Sequence, residues 1–303
     1  MKQQHIRILS GIFILLFIIA TYPYWKTYFS FLNKPAVVSE LELKGFTFDT
    51  TNKVSLKHGG EEILLSKKAD GWQVASYTAN IVQVKDFFSS LKDTEVISLV
   101  SKNPENQKEY EVSSDSGTLV MLSGQKGDKS IIVGKEGSQL NSFYVRAINS
   151  FSVYWVKGSL FQKVTQTTSD WRDKTVLTLD KSKIRKIVVD GVKQFTLTGA
   201  DSNWKVAVLS QEKEIPASQS AAFLDSLTNI QASGFTDEKE KQEFIQSTKT
   251  SVTVFGDKEE KIVQILMVMK DSNIWVQVSG NTEVYKVVAS NLAPILNGSE
   301  SLK

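Results

Sequence analysis

The sequence predicts an antiparallel α+β fold: an N-terminal transmembrane helix followed by two tandem copies of a sheet-plus-helix module. Three observations carry that expectation. An apolar run, "IRILSGIFILLFIIATYPYW", fills residues 6–25. The chain then resembles itself at near-constant spacing. "VSLKHGGEEILLSKKADGW" (54–72) lies without gaps on "KIVVDGVKQFTLTGADSNW" (186–204), Trp72 on Trp204, 132 residues apart. "YVRAINSFSVYWV" (144–156) returns as "WVQVSGNTEVYKV" (275–287), 131 residues apart. Chance apolar similarity would drift, so the constant spacing reads as internal duplication. Finally, strands of alternating character and tight turns dominate each copy, with no long crossover between the later strands.

Composition narrows the function classes. The 303 residues suffice for two modest domains or one large one, and 41% hydrophobic with 23% charged residues describes a globular chain. A net charge of +3 without a concentrated basic face argues against nucleic-acid binding. The short run "DKSKIRK" (180–186) is mixed in sign. With no cysteine, disulfides, zinc–thiolate sites, thiol catalysis and lipoprotein anchoring are excluded.

Taken in order, the first element is residues 1–25, a cytoplasmic N-terminus and membrane anchor. Twenty residues at about 1.5 Å each span the roughly 30 Å hydrocarbon core. Lys2 and Arg7 mark the cytoplasmic end, and Tyr22, Tyr24 and Trp25 form an aromatic belt at the other. The rival is a cleaved signal peptide around Ile12–Ala20, but Ile18 stands where a cleavage site needs a small residue. The chain is therefore expected in the cytoplasmic (inner) membrane, single-pass and N-terminus inside. Residues 6–25 would contact lipid, and the rest would lie outside the cytoplasm.

Residues 26–50 read as a linker and first strand, 51–170 as repeat 1, 171–183 as a connector, 184–297 as repeat 2 and 298–303 as a polar tail. Each repeat opens on a hairpin, with Gly59-Gly60 and Asp190-Gly191 as the turn signals. A short strand begins at each tryptophan. A helix follows: Ile81, Val84, Phe87, Phe88 and Leu91 form one stripe behind the N-cap Asn80. Phe223, Leu224, Leu227 and Ile230 repeat it behind Pro216. Polar, helix-prone stretches come next, "NPENQKEYEV" (103–112) and "TDEKEKQEFI" (236–245). The strands "TLVMLS", "SIIVGK", "FYVRA" and "SVYWV" are then matched by "SVTVF", "KIVQILMV", "IWVQV" and "EVYKV". Short apolar helices close the copies near Leu160–Val164 and Leu292–Leu296.

Motifs with chemistry are few. "GQKGDKS" (124–130) resembles a P-loop only superficially: Asp128 would oppose phosphate, and a strand follows it instead of a helix. His5 and His58 stand alone. Adjacent carboxylates such as Glu61-Glu62 and Glu259-Glu260 point to opposite faces of a strand. No catalytic residue, cofactor site or metal site is assigned. Arg172 and Asp173, in "SDWRDKTVL" (169–177), are candidates for a contact between the modules. On the face opposite the expected core, Tyr144, Arg146 and Trp155 form an aromatic–arginine cluster, the composition of interaction hot spots. The same cluster would also suit a second core layer.

The "DGWQV" strand, the helix after it, "SIIVGKEGSQLNSFYVRAINSFSVYWV" and "DWRDKTVLTLD…IRKIVV" together resemble the bacterial domain-of-unknown-function family 4340. The likeness is best over residues 50–190 and looser in the second copy. The family's tyrosine-glycine-leucine after the first helix is "YEV" (110–112) here. The resemblance implies a membrane anchor with a long outer segment and carries over no catalytic residue. Members occur beside components of ABC-type transporters resembling the gliding-motility export system, which implies an accessory envelope protein. The expectation is a non-enzymatic, membrane-anchored accessory or interaction subunit of an ABC-type transporter complex. Its alternatives are an envelope polysaccharide or peptidoglycan binding module, and a hydrolase with a raised-pKa carboxylate between the modules.

Overall fold

The computed structural model describes residues 39–191 and 193–302, together with Phe17, Ala20, Thr21 and Tyr22. The expected membrane span, 6–25, lies outside the described residues apart from those four. Among the described residues no helix is long and apolar enough to cross a membrane. The chain divides into two units, 1–171 and 172–303.

Period-two alternation builds the sheet of the first unit. Its strands are β1 (Thr51–His58), β2 (Glu61–Lys68), β3 (Gly71–Val74), β4 (Tyr77–Thr78), β5 (Glu95–Ser101), β6 (Thr118–Gly124), β7 (Gly127–Glu136), β8 (Ser142–Ala147) and β9 (Val153–Lys157). All pairings are antiparallel, in the order β4-β3-β2-β1-β6-β7-β8-β9-β5. The β1–β2 turn is tight because Gly59 and Gly60 both take positive φ (57° and 89°), the pattern whose twist matches a hairpin.

Helix α1 (Ile81–Asp93) links β4, at one edge of this sheet, to β5 at the other. Asn80 caps it by accepting from the amides of Val82 (3.0 Å) and Gln83 (3.2 Å). Its apolar stripe, Val84, Phe87, Phe88 and Leu91, is buried on the face that carries Val54, Leu65, Val120, Val145 and Val156. Each such side chain contributes about 1.5–3 kcal/mol by leaving water. Trp72 lies in the same core, 5.6 Å from Phe88 between ring centres. Helices α2 (Leu160–Val164) and α3 (Thr168–Trp171) close the unit, and Trp171 is fully buried against Phe87.

The second unit runs through β10 (Thr175–Thr178), β11 (Lys186–Asp190), β12 (Phe195–Ala200), β13 (Asn203–Val208), β14 (Gln211–Ile215), α4 (Ala217–Thr228), β15 (Asn229–Gln231), β16 (Gly234–Phe235), α5 (Glu238–Gln246), β17 (Thr250–Phe255), β18 (Lys261–Lys270), β19 (Asn273–Val278), β20 (Tyr285–Val288) and α6 (Ala293–Leu296). Its large sheet has the order β14-β13-β12-β11-β17-β18-β19-β20-β16, position for position that of the first. Register repeats as well: Val145 pairs with Tyr154, and Val276 with Tyr285. Both units are mixed α+β, each around a large antiparallel sheet.

The second faces of the sheets are covered differently. In the first unit the segment after β5 makes only a short 3-10 turn, Pro104–Gln107, and ends where Glu111 takes a left-handed φ of 54°. It lies flat on the sheet at Gly134, where a Cβ would come within 2.2 Å of the Tyr110 carbonyl. By strand pairing, the counterpart of Gly134 is Val268, which leaves no such room. There α5 forms instead, with a capping box between Asp237 and Glu240, and packs Phe244 over Val268 and Trp275.

The Asp190-Gly191 hairpin forms between β11 and β12 as expected. Three other expectations need correction. Residues 39–50 hold no strand; they form a 3-10 turn, Ser39–Leu41, and loops that sink Leu43 and Phe46 into the core. The connector 171–183 contains β10, which pairs with β15. The tail is not simply polar, since a 3-10 turn at Gly298–Leu302 buries Leu302 in the second core.

Candidate functional site

Alternation along β8 and β9 decides where the expected cluster goes. Val145, Tyr154 and Val156 face α1, so Tyr144, Arg146 and Trp155 face the other way. That face is not open. Val112, Ile132 and Val153 form a small core there, joined by Tyr110 and Tyr144, whose rings are 4.6 Å apart. Trp155 is half-buried, its indole Nε1 beneath Gly137.

Arg146 is 7% exposed, and its bonds run inward. Its Nε donates to the Val112 carbonyl (2.9 Å). Its Nη1 donates to the carbonyls of Ala147 (3.3 Å), Ile148 (3.0 Å) and Ser150 (2.9 Å). Burial holds the guanidinium pKa below its ordinary value. The side chain thus ties the covering segment and the β8–β9 turn to the sheet. The turn presents Ile148 and Phe151 to solvent, Phe151 at 64% exposure. Glu40 docks on the same turn, accepting from the hydroxyls of Ser150 (2.8 Å) and Tyr154 (3.4 Å). Burial raises the Tyr154 pKa, and the Glu40 charge adds to the effect.

The opposite end of this sheet carries a cleft of about 410 Å³. His58 and Glu61 flank the β1–β2 turn at its mouth, Phe161 and Val164 supply an apolar side, and Glu111, Thr118, Gln166 and Thr167 supply polar groups. The Thr118 hydroxyl lies 3.5 Å from His58 Nδ1. The Gln166 Oε1 is buried without a hydrogen-bond partner. Its chemistry suits a neutral polar ligand with one apolar face better than an anion, because Glu61 and Glu111 would oppose negative charge.

Arg172 and Asp173 bond within the second unit. Arg172 Nη2 lies 2.9 Å from Glu283 Oε2, and its guanidinium stacks 3.4 Å over the Phe235 ring. Asp173 accepts from the Thr175 amide at 2.9 Å. Lys241 joins Glu283 at 3.5 Å. Burial alone would lower the Lys241 pKa, but Glu238 and Glu283 outweigh it and raise it.

The carboxyl groups whose pKa departs from the ordinary value, Glu62, Asp115, Asp180 and Glu259, are all lowered. Hydrogen bonds from Ser55, Ser113, Ser182 and Lys186 respectively are the first cause. Such groups are poor proton donors near neutrality. Among the described residues no three acidic or histidine side chains gather into a metal-binding group. The "GQKGDKS" stretch is the β6–β7 hairpin, closed by Gly127 at φ 83°.

A family model described as a domain of unknown function, DUF4340, matches residues 72–249, well over half of the chain. The chain belongs to the DUF4340 family. The matched span runs from Trp72 in β3 through the first unit into the second, ending just before β17. It therefore includes Tyr144, Arg146, Trp155, Arg172 and Asp173, while β1 and the cleft residues Leu56 to Ile63 fall outside it. No curated protein and no solved structure matches this DUF4340 chain.

Proposed function

We propose that this protein is a membrane-anchored, extracytoplasmic interaction subunit without catalytic activity, built from two copies of one module. The observation that carries the reading is the use to which its polar side chains are put. Arg146 holds four carbonyls, Arg172 holds Glu283 and Phe235, and the shifted carboxyl groups are lowered by surface hydrogen bonds. These groups stabilise two broad sheets rather than converge on a reacting atom. Equal strand order and equal β8–β9 and β19–β20 register support duplication as the origin of the second unit. Residues 6–25 supply the anchor, and tethering raises the effective concentration of any partner confined to the same membrane. The resemblance set out above makes a subunit of an ABC-type transporter complex the expected partner. In-membrane crosslinking of the tagged full chain, with mass spectrometry of what co-purifies, tests this reading. Recovery of a permease or ATPase subunit is the expected result; a clean absence of protein partners overturns it.

The cleft of about 410 Å³ favours a second reading, an envelope polysaccharide or peptidoglycan binding module. Its apolar Phe161 side and its hydroxyl and amide groups suit a sugar ring. Glycan retention of the full chain without any protein partner, lost in Gln166→Leu, would support that reading over the first.

A further inference from the structure

Phe151 and Ile148 are exposed at the tip of a turn whose conformation is over-determined. Arg146 Nη1 donates to three of its carbonyls, the Ser150 amide donates to Ala147 O at 3.0 Å, and the Ser152 amide donates to the Ser150 hydroxyl at 3.1 Å. The tip thus presents Ile148 and a 64% exposed Phe151 side by side in one fixed conformation. What it contacts is indicated by where the chain arrives. Glu40, on the first described turn after the N-terminal segment, is hydrogen-bonded to Ser150 and Tyr154 of this same tip. Fourteen residues, 26–39, separate that docking point from the apolar run at 6–25. Fully extended they reach no further than about 50 Å. Along the chain, the tip is thus the part of the sheet nearest the apolar run. The cleft and Leu140, an 86% exposed side chain in the β7–β8 turn, lie at the opposite end of the sheet.

From this placement we infer that the β8–β9 tip, Ile148 and Phe151, seats in the lipid headgroup region of the bilayer that holds the anchor. The tip thereby fixes the orientation of the first unit above the membrane. Arg146 is a positioning residue for that contact, and Glu40 joins the tip to the tether. Two apolar side chains would not hold a free protein on a bilayer, but the tether makes their insertion an intramolecular step. The inference rests on the anchor reading given above.

The absence of cysteine allows a single introduced thiol to carry a fluorophore. Full chains carrying Phe151→Cys, Ile148→Cys or Leu140→Cys would be labelled and reconstituted in phosphatidylethanolamine–phosphatidylglycerol vesicles with headgroup-depth nitroxide lipid in both leaflets. Vesicle flotation comes first: a chain that fails to float overturns the anchor reading and the tip with it. In floated chains, the labels at 151 and 148 are expected to be quenched by lipid about twofold or more beyond the label at 140. Quenching of 151 by aqueous iodide as strong as that of 140 overturns the tip alone. A label at 151 shielded from both quenchers also overturns it, showing that protein, such as residues 26–38, covers the turn. In Arg146→Met the lipid quenching at 151 should fall towards that at 140 while flotation is kept.

Discussion

Replacing Arg146 with methionine keeps most of the aliphatic stem and removes a guanidinium that donates four hydrogen bonds. Two of the acceptors, the carbonyls of Val112 and Ala147, are met in buried surroundings, where water cannot replace the donor. Hydrogen bonds to a charged group contribute about 1.5–3 kcal/mol each. The other two acceptors lie in a part-buried turn and can be hydrated. Relief of the guanidinium's own desolvation offsets part of the loss, so the expected cost is about 2–4 kcal/mol. For a unit of this size that lowers its melting temperature by about 5–15 °C. Calorimetry of the full chain in detergent, fitted as two transitions because two units need not unfold together, reads the effect. Arg146→Lys keeps the charge but cannot reach four dispersed carbonyls, and should recover less than half of the loss. A cost below about 0.5 kcal/mol for Arg146→Met would refute the reasoning, since that is the range of surface substitutions without a structural role.

Trp171→Ala empties a fully buried site against Phe87 and should cost about 3–5 kcal/mol in the transition of the first unit, measured in the same calorimeter. Arg172→Met and Glu283→Gln should show a coupling of about 1–2 kcal/mol in a double-mutant cycle, because the pair is 11% and 20% exposed; a coupling near zero would mark it as incidental. The Glu62 carboxyl, accepting from Ser55 at 2.6 Å, should titrate below 4.5 by carbon-detected NMR and move up in Ser55→Ala. Its folded pKa is depressed, so its small stabilisation is present above the unfolded value and disappears as pH falls through the folded one. A titration midpoint at or above 4.5 would remove that contribution.

Particular elements show why some of this architecture is readable from sequence and some is not. The α1 stripe and its Asn80 cap are local signals, and both appear where their spacing places them. The eight later strands of the two units are legible because alternation and tight turns are local too. The edge strands β5 and β16 are not: each completes a far sheet edge only after a helix has crossed, a non-local pairing that no window of sequence reports. The cluster at Tyr144, Arg146 and Trp155 shares a face as alternation requires. The cover over that face depends on Gly134 lying under the Tyr110 carbonyl, a contact between distant parts of the chain. No local pattern marks Phe151 or Glu40, because what distinguishes them is the hydrogen bond from Ser150 to Glu40 across 110 residues. The cleft at Gln166 gave no motif at all, since its lining comes from five separate segments.

The measurement that tests the account most directly asks on which side of the membrane the folded units lie, and whether they stay attached to it. A Leu140→Cys chain, whose only thiol sits at an 86% exposed position, would be treated in intact cells with a membrane-impermeant maleimide, and the membranes then washed at alkaline pH. The account expects full labelling without permeabilisation and retention of the labelled chain in the washed membrane. Labelling only after lysis, or release of the chain by the wash, would contradict it.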